Sequence, residues 1–390
     1  MHTQATPVNI AGIGAVTGYG TGVEQLWEGL MSGKPAAHLH PAYLPDGSDA
    51  WFARISEDML ADDGRNLYTR ALCTAVVEAV TDAQVRGWRP GPVVGLINAT
   101  AIGDAEVWRT LYTRAGARRD RRGFLQLLPS TTLSEVMRMY RWHGPVNSIS
   151  SVCASSGNAL LQARSWLDEG RADDVVVVGT DLLATPEILA EFVQLGAAIA
   201  DVDPLDACRP FQTGSRGFSF GEAAVAMVLS RRPAQPYAQL LGGALSHDAY
   251  HAVSIDPGAE QIMRCATDAL RDADVTPDDI GYLNAHGPGT SQCDAAETRM
   301  HTDTLGGQPA IFSVKPLVGH CQGGACGLLE TSVSALAYDR GTIPAPHHVA
   351  DAHPRLLDGP TPVTDRLTLK TSLGMGGHNS AVVLAPPTRG

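Results

Sequence analysis

The chain has 390 residues, 44% of them hydrophobic and 18% charged, and a formal net charge of -12. This composition is typical of a folded globular protein and excludes a largely disordered chain, while the acidic charge argues against a general nucleic-acid-binding protein. The seven cysteines include no Cys-x-x-Cys pair, and no stretch is apolar for long enough to cross a membrane. We therefore expect a cytoplasmic protein with reduced thiols and with neither a nucleic-acid nor a membrane partner.

Short β-rich runs alternate with helical patterns along the chain, which predicts an α/β layered fold. The predicted strands of the first half are residues 8–16, 93–100, 174–181 and 223–230, and its clearest amphipathic helix is 67–83. The predicted strands of the second half are residues 237–246, 280–287, 366–373 and 380–386, and its clearest helix is 260–273.

The second half repeats the order of the first, although no residue-by-residue repeat is visible. We expect the boundary between residues 231 and 236, which divides the chain into halves 1–232 and 233–390. The strand-to-helix turn that contains Cys153 corresponds to the turn that contains His320. Two similar halves would bring these turns together near a pseudo-twofold axis.

Cys153 stands between a β-rich approach and a helical pattern, in the sequence SISSVCASSGNALL. The unpaired N–H groups at a helix start stabilise a thiolate and can donate to an oxyanion. A single cysteine in an apolar segment is also a common packing residue, so only neighbouring catalytic groups would distinguish a nucleophile.

Three such groups are available in the second half. His286 ends a buried strand before a Gly-Pro-Gly turn, and Lys315 and His320 lie in the turn SVKPLVGH. The chain has only three lysines, so one at a strand exit is unlike a generic surface charge. Each histidine alone has the alternative of a hydrogen-bonded core role.

Two further segments have both a functional and a plain interpretation. The glycine-rich run GMGGHN, residues 374–379, is either an ordinary hairpin turn or a loop whose backbone N–H completes an oxyanion hole. The arginine-rich run 109–122 is either a solvated surface or a dock for an acidic partner protein.

Taken in order, GIGAVTGYG, CASS, CRPF with RGFSFGEAA, NAHGPGT, SVKPLVGH and GMGGHN resemble the motifs of the β-ketoacyl synthases. These condensing enzymes of fatty-acid and polyketide synthesis belong to the thiolase superfamily. The resemblance spans nearly the whole chain. It implies the duplicated thiolase fold, with five layers αβαβα and two mixed β-sheets, and a dimer.

The resemblance also implies roles for individual residues. Cys153 matches the acylated nucleophile, His286 and His320 match the catalytic histidines, and Lys315 matches the lysine that orients the site. The backbone N–H groups of Cys153 and Met375 match the oxyanion hole. Asp294 and Glu297 match acidic support positions, and the positions implied to bind substrate or its pantetheine arm are Pro288, Thr290, Met375, Gly376 and Gly377. The family uses no cofactor or metal beyond the phosphopantetheine that carries its substrates.

Several residues depart from the family pattern. Pro288 stands where threonine is usual, Met375 and Leu373 replace aromatic residues, and Arg216 replaces an acidic residue. The run HCQGGACGLLE either has one extra residue before Gly324 or has Cys326 in place of a glycine. These departures indicate an unusual acyl pocket and a specialised pathway.

The expected function is that of a β-ketoacyl synthase, an acyltransferase-type enzyme that acts on acyl-carrier thioesters by decarboxylative Claisen condensation. One alternative is an acyltransferase or cyclase that passes the acyl group to an amine or alcohol. Another is a non-catalytic chain-length partner. The expected partners are an acyl carrier protein and a second subunit, in a homodimer or in a heterodimer with a ketosynthase-like chain. Candidate residues for carrier docking are Arg65, Arg70, Arg118, Arg119 and Arg122.

Overall fold

The computed structural model describes residues 7–113, 125, 128–232 and 235–387. Its framework is an 11-stranded mixed sheet whose two halves, called here the first and second sheets, have the same strand order, and a smaller sheet of five strands lies apart from it. The strands of the first half are β1 (Val8–Thr17), β2 (Gly20–Thr21), β3 (His38–His40), β4 (Ala50–Ala53), β5 (Val94–Ala99), β6 (Val146–Ile149), β7 (Asp174–Asp181), β8 (Ala198–Ile199), β9 (Phe218–Gly221) and β10 (Ala223–Ser230). Those of the second half are β11 (Ala238–His247), β12 (Ile280–Asn284), β13 (Ala310–Phe312), β14 (His320–Cys321), β15 (Thr342–Ile343), β16 (Thr361–Pro362), β17 (Leu367–Gly374) and β18 (His378–Ala385).

The helices alternate with these strands. They are α1 (Val23–Met31), α2 (Leu67–Val85), α3 (Ala105–Thr113), α4 (Pro129–Tyr140), α5 (Ser155–Asp168), α6 (Pro186–Gln194), α7 (Pro204–Ala207), α8 (Glu260–Asp272), α9 (Ser291–Asp303), α10 (Lys315–Val318) and α11 (Gly324–Arg340). The predicted helices 67–83 and 260–273 correspond to α2 and α8. None of the helices in the described ranges is both long and apolar enough to cross a bilayer.

The duplication predicted from the sequence is present in the sheet topology. The first-half order β6-β5-β7-β10-β1 matches the second-half order β13-β12-β17-β18-β11. The strand directions also match, because the first three strands of each series run parallel and the last two are antiparallel to their neighbours. All eight predicted strands are found, although residues 285–287 lie beyond the end of β12.

The sheets and helices alternate in five layers. Helix α2 covers the outer face of the first sheet, and α8, which packs against α9, covers the outer face of the second. Helices α5 and α11 pack against each other and against strands of both sheets, so they form the central layer. The predicted five-layer αβαβα fold is therefore confirmed. The two sheets are also joined edge to edge, where β1 pairs with β11 over residues 8–10 and 238–240.

Glycines allow the central layer to pack closely. A Cβ at Gly324, the first residue of α11, would overlap the backbone carbonyl of Ala99, and a Cβ at Gly327 would lie 2.7 Å from the Cβ of Ser156 in α5. These contacts hold the starts of α5 and α11 together. The turns that precede the two helices therefore meet at the interface of the halves.

Strand β10 ends at Ser230 and β11 begins at Ala238, so the proposed boundary at residues 231–236 falls in the connection between them. The division of the chain into halves 1–232 and 233–390 stays a prediction.

Candidate active site

Cys153 lies in a tight turn between β6 and α5. Its neighbour Val152 has a φ of 51°, a left-handed conformation that costs a β-branched residue about 1–3 kcal/mol. The Ser155 hydroxyl fixes the turn, because it accepts a hydrogen bond from the Ser151 N–H at 2.7 Å and donates to the Val152 carbonyl at 2.6 Å. The Cys153 thiol is thereby held, buried, two residues before the start of α5.

Both histidines approach the sulfur from the second half. The Sγ of Cys153 lies 3.5 Å from Nε2 of His320, which begins the short strand β14. The rings of His286 and His320 are 5.2 Å apart between centroids and inclined at 77°. The sulfur and one nitrogen of each ring lie within 4.8 Å of one another. The structure therefore brings together the three side chains that the sequence placed at separate junctions.

Strand β14 is held by the smaller sheet, where His320 pairs in parallel with Phe220 of β9. The ring of Phe218 packs edge-on against the His320 ring, with centroids 4.8 Å apart. The Nδ1 atoms of both histidines are buried and have no hydrogen-bond partner among the described residues. No described group therefore fixes the tautomer of either ring through Nδ1.

The electrostatics of the three groups differ. Burial, reinforced by the nearby Lys315 ammonium, lowers the pKa of His286 to about 3, so this imidazole is neutral at ordinary pH. A hydrogen bond from Cys326, followed by attraction to His320, holds the pKa of Cys153 well below its usual value in spite of burial. The site therefore favours a thiolate beside a neutral imidazole.

Lys315 supports the site through a buried charge cluster. Its Nζ donates to the backbone carbonyl of His286 and to the carboxylate of Glu330 in α11. The other Glu330 oxygen lies 2.8 Å from Nζ of Lys370 in β17. All three side chains are at most 2% exposed. Glu330 keeps the pKa of Lys315 above its usual range although burial opposes this.

Glu297 and Asp294 hold the loop around His286. Glu297 accepts hydrogen bonds from the N–H groups of His286 and Gly287, both at 2.7 Å, and from the Thr371 hydroxyl at 2.6 Å. Asp294 accepts from the N–H of Phe211 at 2.9 Å and from that of Gly289 at 3.3 Å. Both carboxyl groups therefore accept hydrogen bonds from backbone N–H groups and are not directed at the Cys153 sulfur.

A cavity of about 320 Å³ opens from the three catalytic candidates to the surface. Its walls include Pro288, Thr290, Leu373, Met375 and Arg216, and the Arg216 guanidinium pairs with Asp201 at 2.9 Å. The N–H groups of Cys153 and Met375 form no hydrogen bond with any described residue, so both donors remain available.

The expected contact of Gly376 and Gly377 with substrate stays a prediction. Neither glycine is among the described residues that line the cavity. Both have positive φ, and a Cβ on Gly377 would lie 2.8 Å from the Asp248 side chain. The two glycines instead let the loop pack against residues 248–252, while Met375 alone of this run faces the cavity.

The assignment of Arg70 to carrier docking is wrong. Arg70 is 5% exposed, donates to the carbonyl of Leu60 at 3.2 Å and forms an ion pair with Glu57. Arg65 is half-buried and donates to Asp63 and, at 3.2 Å, to the Cys73 sulfur. The other docking candidates, Arg118, Arg119 and Arg122, lie outside the described residues.

Cys326 is a neighbour of Cys153 that the sequence did not reveal. Its thiol donates to the carbonyl oxygens of Cys153 at 3.7 Å and of Gly323 at 3.5 Å, which places it beside the Cys153 side chain. This contact and the burial of Cys326 raise its own pKa, so it stays a thiol. Gly327 makes the close contact with α5, which fits the alternative of one extra residue before Gly324.

The sulfur and the two ring nitrogens are donors of the types that zinc accepts. A metal held there would occupy the nucleophile and both imidazoles at once. The buried Lys315 ammonium, whose charge already lowers the pKa of His286, also disfavours a second cation.

Comparisons with known proteins agree along the chain. The family described as beta-ketoacyl synthase, N-terminal domain, matches residues 5–234, and its C-terminal domain matches residues 237–350. The chain is 31% identical to the tetracenomycin polyketide synthase ketoacyl synthase alpha subunit of Streptomyces glaucescens, over 97% of each protein. It is 28% identical to the 3-oxoacyl-[acyl-carrier-protein] synthase 2 of Synechocystis sp., over 95% of this chain and 96% of the other.

Among solved structures, it is similar to a type II polyketide synthase ketosynthase, bound to the hexaketide, in complex with its acyl carrier protein. The TM-score is 0.85 at 24% identity, over 98% of this chain and 100% of the other.

Proposed function

Because the chain belongs to the β-ketoacyl synthase family, we propose that it condenses carrier-bound acyl groups in polyketide or fatty-acid-like biosynthesis, as an acyltransferase with Cys153 as nucleophile. The observation that carries the proposal is the cluster of one sulfur and two imidazole nitrogens within 4.8 Å. A reacting carbonyl placed there would lie within reach of all three groups.

In the first step the Cys153 thiolate attacks the carbonyl of an acyl thioester. The carbon–sulfur bond to the pantetheine arm breaks, and that sulfur leaves as a thiol after it gains a proton. The N–H groups of Cys153 and Met375 are the donors for the tetrahedral oxyanion, because neither is used within the described residues. Thr290 and Pro288 line the cavity through which the arm would pass.

In the second step a malonyl thioester loses carbon dioxide, and the electron pair of the broken bond forms an enolate. The Nε2–H groups of His286 and His320 are suited to donate to the enolate oxygen. His286 is neutral at ordinary pH, so it donates without giving up its proton. The enolate carbon then attacks the acyl-Cys153 carbonyl, and the cysteine leaves as thiolate.

The partners follow from the chemistry and from the relatives. We infer an acyl carrier protein as donor and acceptor, with phosphopantetheine on the carrier and no other cofactor or metal. We also infer a dimer with a second copy or with a ketosynthase-like subunit, since one relative is named an alpha subunit. A nucleophile that must remain a thiol fits a reducing cytoplasm.

A malonyl chase separates this proposal from its alternatives. The protein is acylated from an acyl carrier, freed of excess donor and supplied with malonyl carrier. Condensation predicts release of carbon dioxide and a product longer by two carbons. Transfer to an amine or alcohol predicts neither. If Cys153→Ala left product formation intact in a reconstituted pathway, the chain would be a non-catalytic partner subunit instead.

A further inference from the structure

Gln322 forms part of the buried wall of the active-site cavity. It lies in the turn that directly follows β14 and leads to the start of α11. Gln322 is 8% exposed and is one of the residues that line the cavity together with Cys153 and His320. Its amide therefore faces the space next to the reacting groups.

The side-chain amide of Gln322 is unpaired within the described part of the chain. Within the described residues, no backbone or side-chain group forms a hydrogen bond with it. Other buried polar groups nearby are paired: Glu297 accepts three hydrogen bonds, and the Ser313 hydroxyl donates to the Gly287 carbonyl at 2.8 Å. Neither Gln322 amide atom is among the fully buried unpaired polar atoms of the described residues, so water in the cavity can reach both. An apolar acyl chain that displaced this water would leave the amide unpaired, at a cost in free energy.

The surroundings of Gln322 indicate which part of the substrate meets it. The exposed residues of the cavity wall, such as Leu195 at 61% and Val253 at 45%, mark the entrance. Gln322 belongs to the buried part instead, with the rings of Phe218 and His320. The pantetheine arm comes in from the entrance, so the acyl chain attached to Cys153 is the substrate portion that reaches the buried part.

We propose that Gln322 determines acyl specificity and that the preferred acyl chain has an oxygen, as a carbonyl or hydroxyl, within its first few carbons. The proposal rests on the proposed function and names its substrate class. The amide N–H donates to a carbonyl, and the amide oxygen and N–H together pair with a hydroxyl. A fully reduced alkyl chain would leave the amide unpaired, and sites built to pair a substrate oxygen reject analogues that lack it.

The test compares pantetheine thioesters of equal length: hexanoyl, 3-hydroxyhexanoyl and 3-oxohexanoyl. The rate of Cys153 acylation is followed by intact-protein mass spectrometry for the unaltered protein, for Gln322→Leu and for Gln84→Leu. Gln84 is exposed on α2, outside the cavity, so Gln84→Leu is a matched control that makes the same chemical change away from the site. We expect the unaltered protein and Gln84→Leu to favour an oxygenated chain over hexanoyl by about tenfold or more.

In Gln322→Leu this preference should vanish, and the hexanoyl rate should rise. Equal preference in the unaltered protein and Gln322→Leu, or a preference of the unaltered protein for hexanoyl, would overturn the inference. If Gln322→Leu does not fold, the ratio of the acylation rates with oxygenated and hexanoyl thioesters in the unaltered protein still tests the inference. Gln322→Met then serves as the second variant. Failure of all three thioesters to acylate the unaltered protein would contradict the proposed function itself, a result distinct from acylation without selectivity.

Discussion

Lys315, Glu330 and Lys370 form a buried charge cluster. Neutralising Glu330 should lower the free energy of unfolding much more than neutralising Lys370. Two ammonium groups share one carboxylate, and none of the three side chains is more than 2% exposed. Glu330→Gln leaves two buried cations without their carboxylate. Lys370→Met leaves the Lys315–Glu330 pair intact and the cluster neutral.

The magnitudes follow from the cost of an uncompensated buried charge. Removal of one partner that leaves such a charge costs about 3–5 kcal/mol, so we expect Glu330→Gln to lower the free energy of unfolding by at least about 3 kcal/mol. A substitution of similar volume that leaves no unpaired charge costs less than about 1.5 kcal/mol, which is the expectation for Lys370→Met. Lys315→Met should also lose the tie to the His286 carbonyl, and with it catalytic activity.

Urea unfolding followed by circular dichroism measures these differences, with Cys153 acylation as the second readout. The control is Glu135→Gln, which breaks an exposed ion pair with Arg138 at 2.7 Å and should cost less than about 1 kcal/mol. The reasoning would be refuted if Lys370→Met destabilised the protein as much as Glu330→Gln, or if Glu330→Gln behaved like the exposed control.

Three other predictions concern the site and its packing. Cys326→Ala removes the hydrogen bond to Cys153, so the pH midpoint for iodoacetamide labelling of Cys153 should rise by about one unit. An unchanged midpoint would show that Cys326 does not affect the pKa of Cys153. Burial lowers the pKa of His286 to about 3, below its value in the unfolded chain, so the free energy of unfolding falls as pH drops below 6.5, by about 2 kcal/mol at pH 5. Urea unfolding at several pH values should therefore show a smaller loss of stability with acid in His286→Asn than in the unaltered protein. Equal pH dependence of the free energy of unfolding in the two proteins would contradict this. Gly324→Ala should lower the free energy of unfolding in urea by about 3 kcal/mol or more, because its Cβ would overlap the backbone of β5. A near-neutral result would mean that the central helices can separate.

Much of the fold was predictable because local patterns and tertiary structure agree. Strand β7 contains four consecutive valines at residues 175–178, typical of a strand buried on both faces, and it was located without error at residues 174–181. The duplicated order of the strands then suggested that the turns of Cys153 and His320 meet. The 3.5 Å contact between their side chains shows that this prediction was correct.

What the sequence did not reveal depends on contacts between distant segments. Arg70 lies on a helical pattern, and its partner Glu57 comes from a loop that the periodicity of α2 does not indicate. Lys370 was noted only as one of three lysines, since its carboxylate partner Glu330 is contributed by α11 forty residues earlier. The one available signal was a lysine in the middle of a predicted strand, since a buried lysine requires an anion nearby.

The proposed mechanism depends on formation of the thioester by the Cys153 sulfur itself. The most direct measurement is peptide mapping by mass spectrometry after exposure of the protein to an acyl carrier. We predict a single acyl adduct on the peptide that contains Cys153, absent in Cys153→Ala. An adduct on Cys326 or Cys321 in place of Cys153, or no adduct with any acyl carrier, would contradict it.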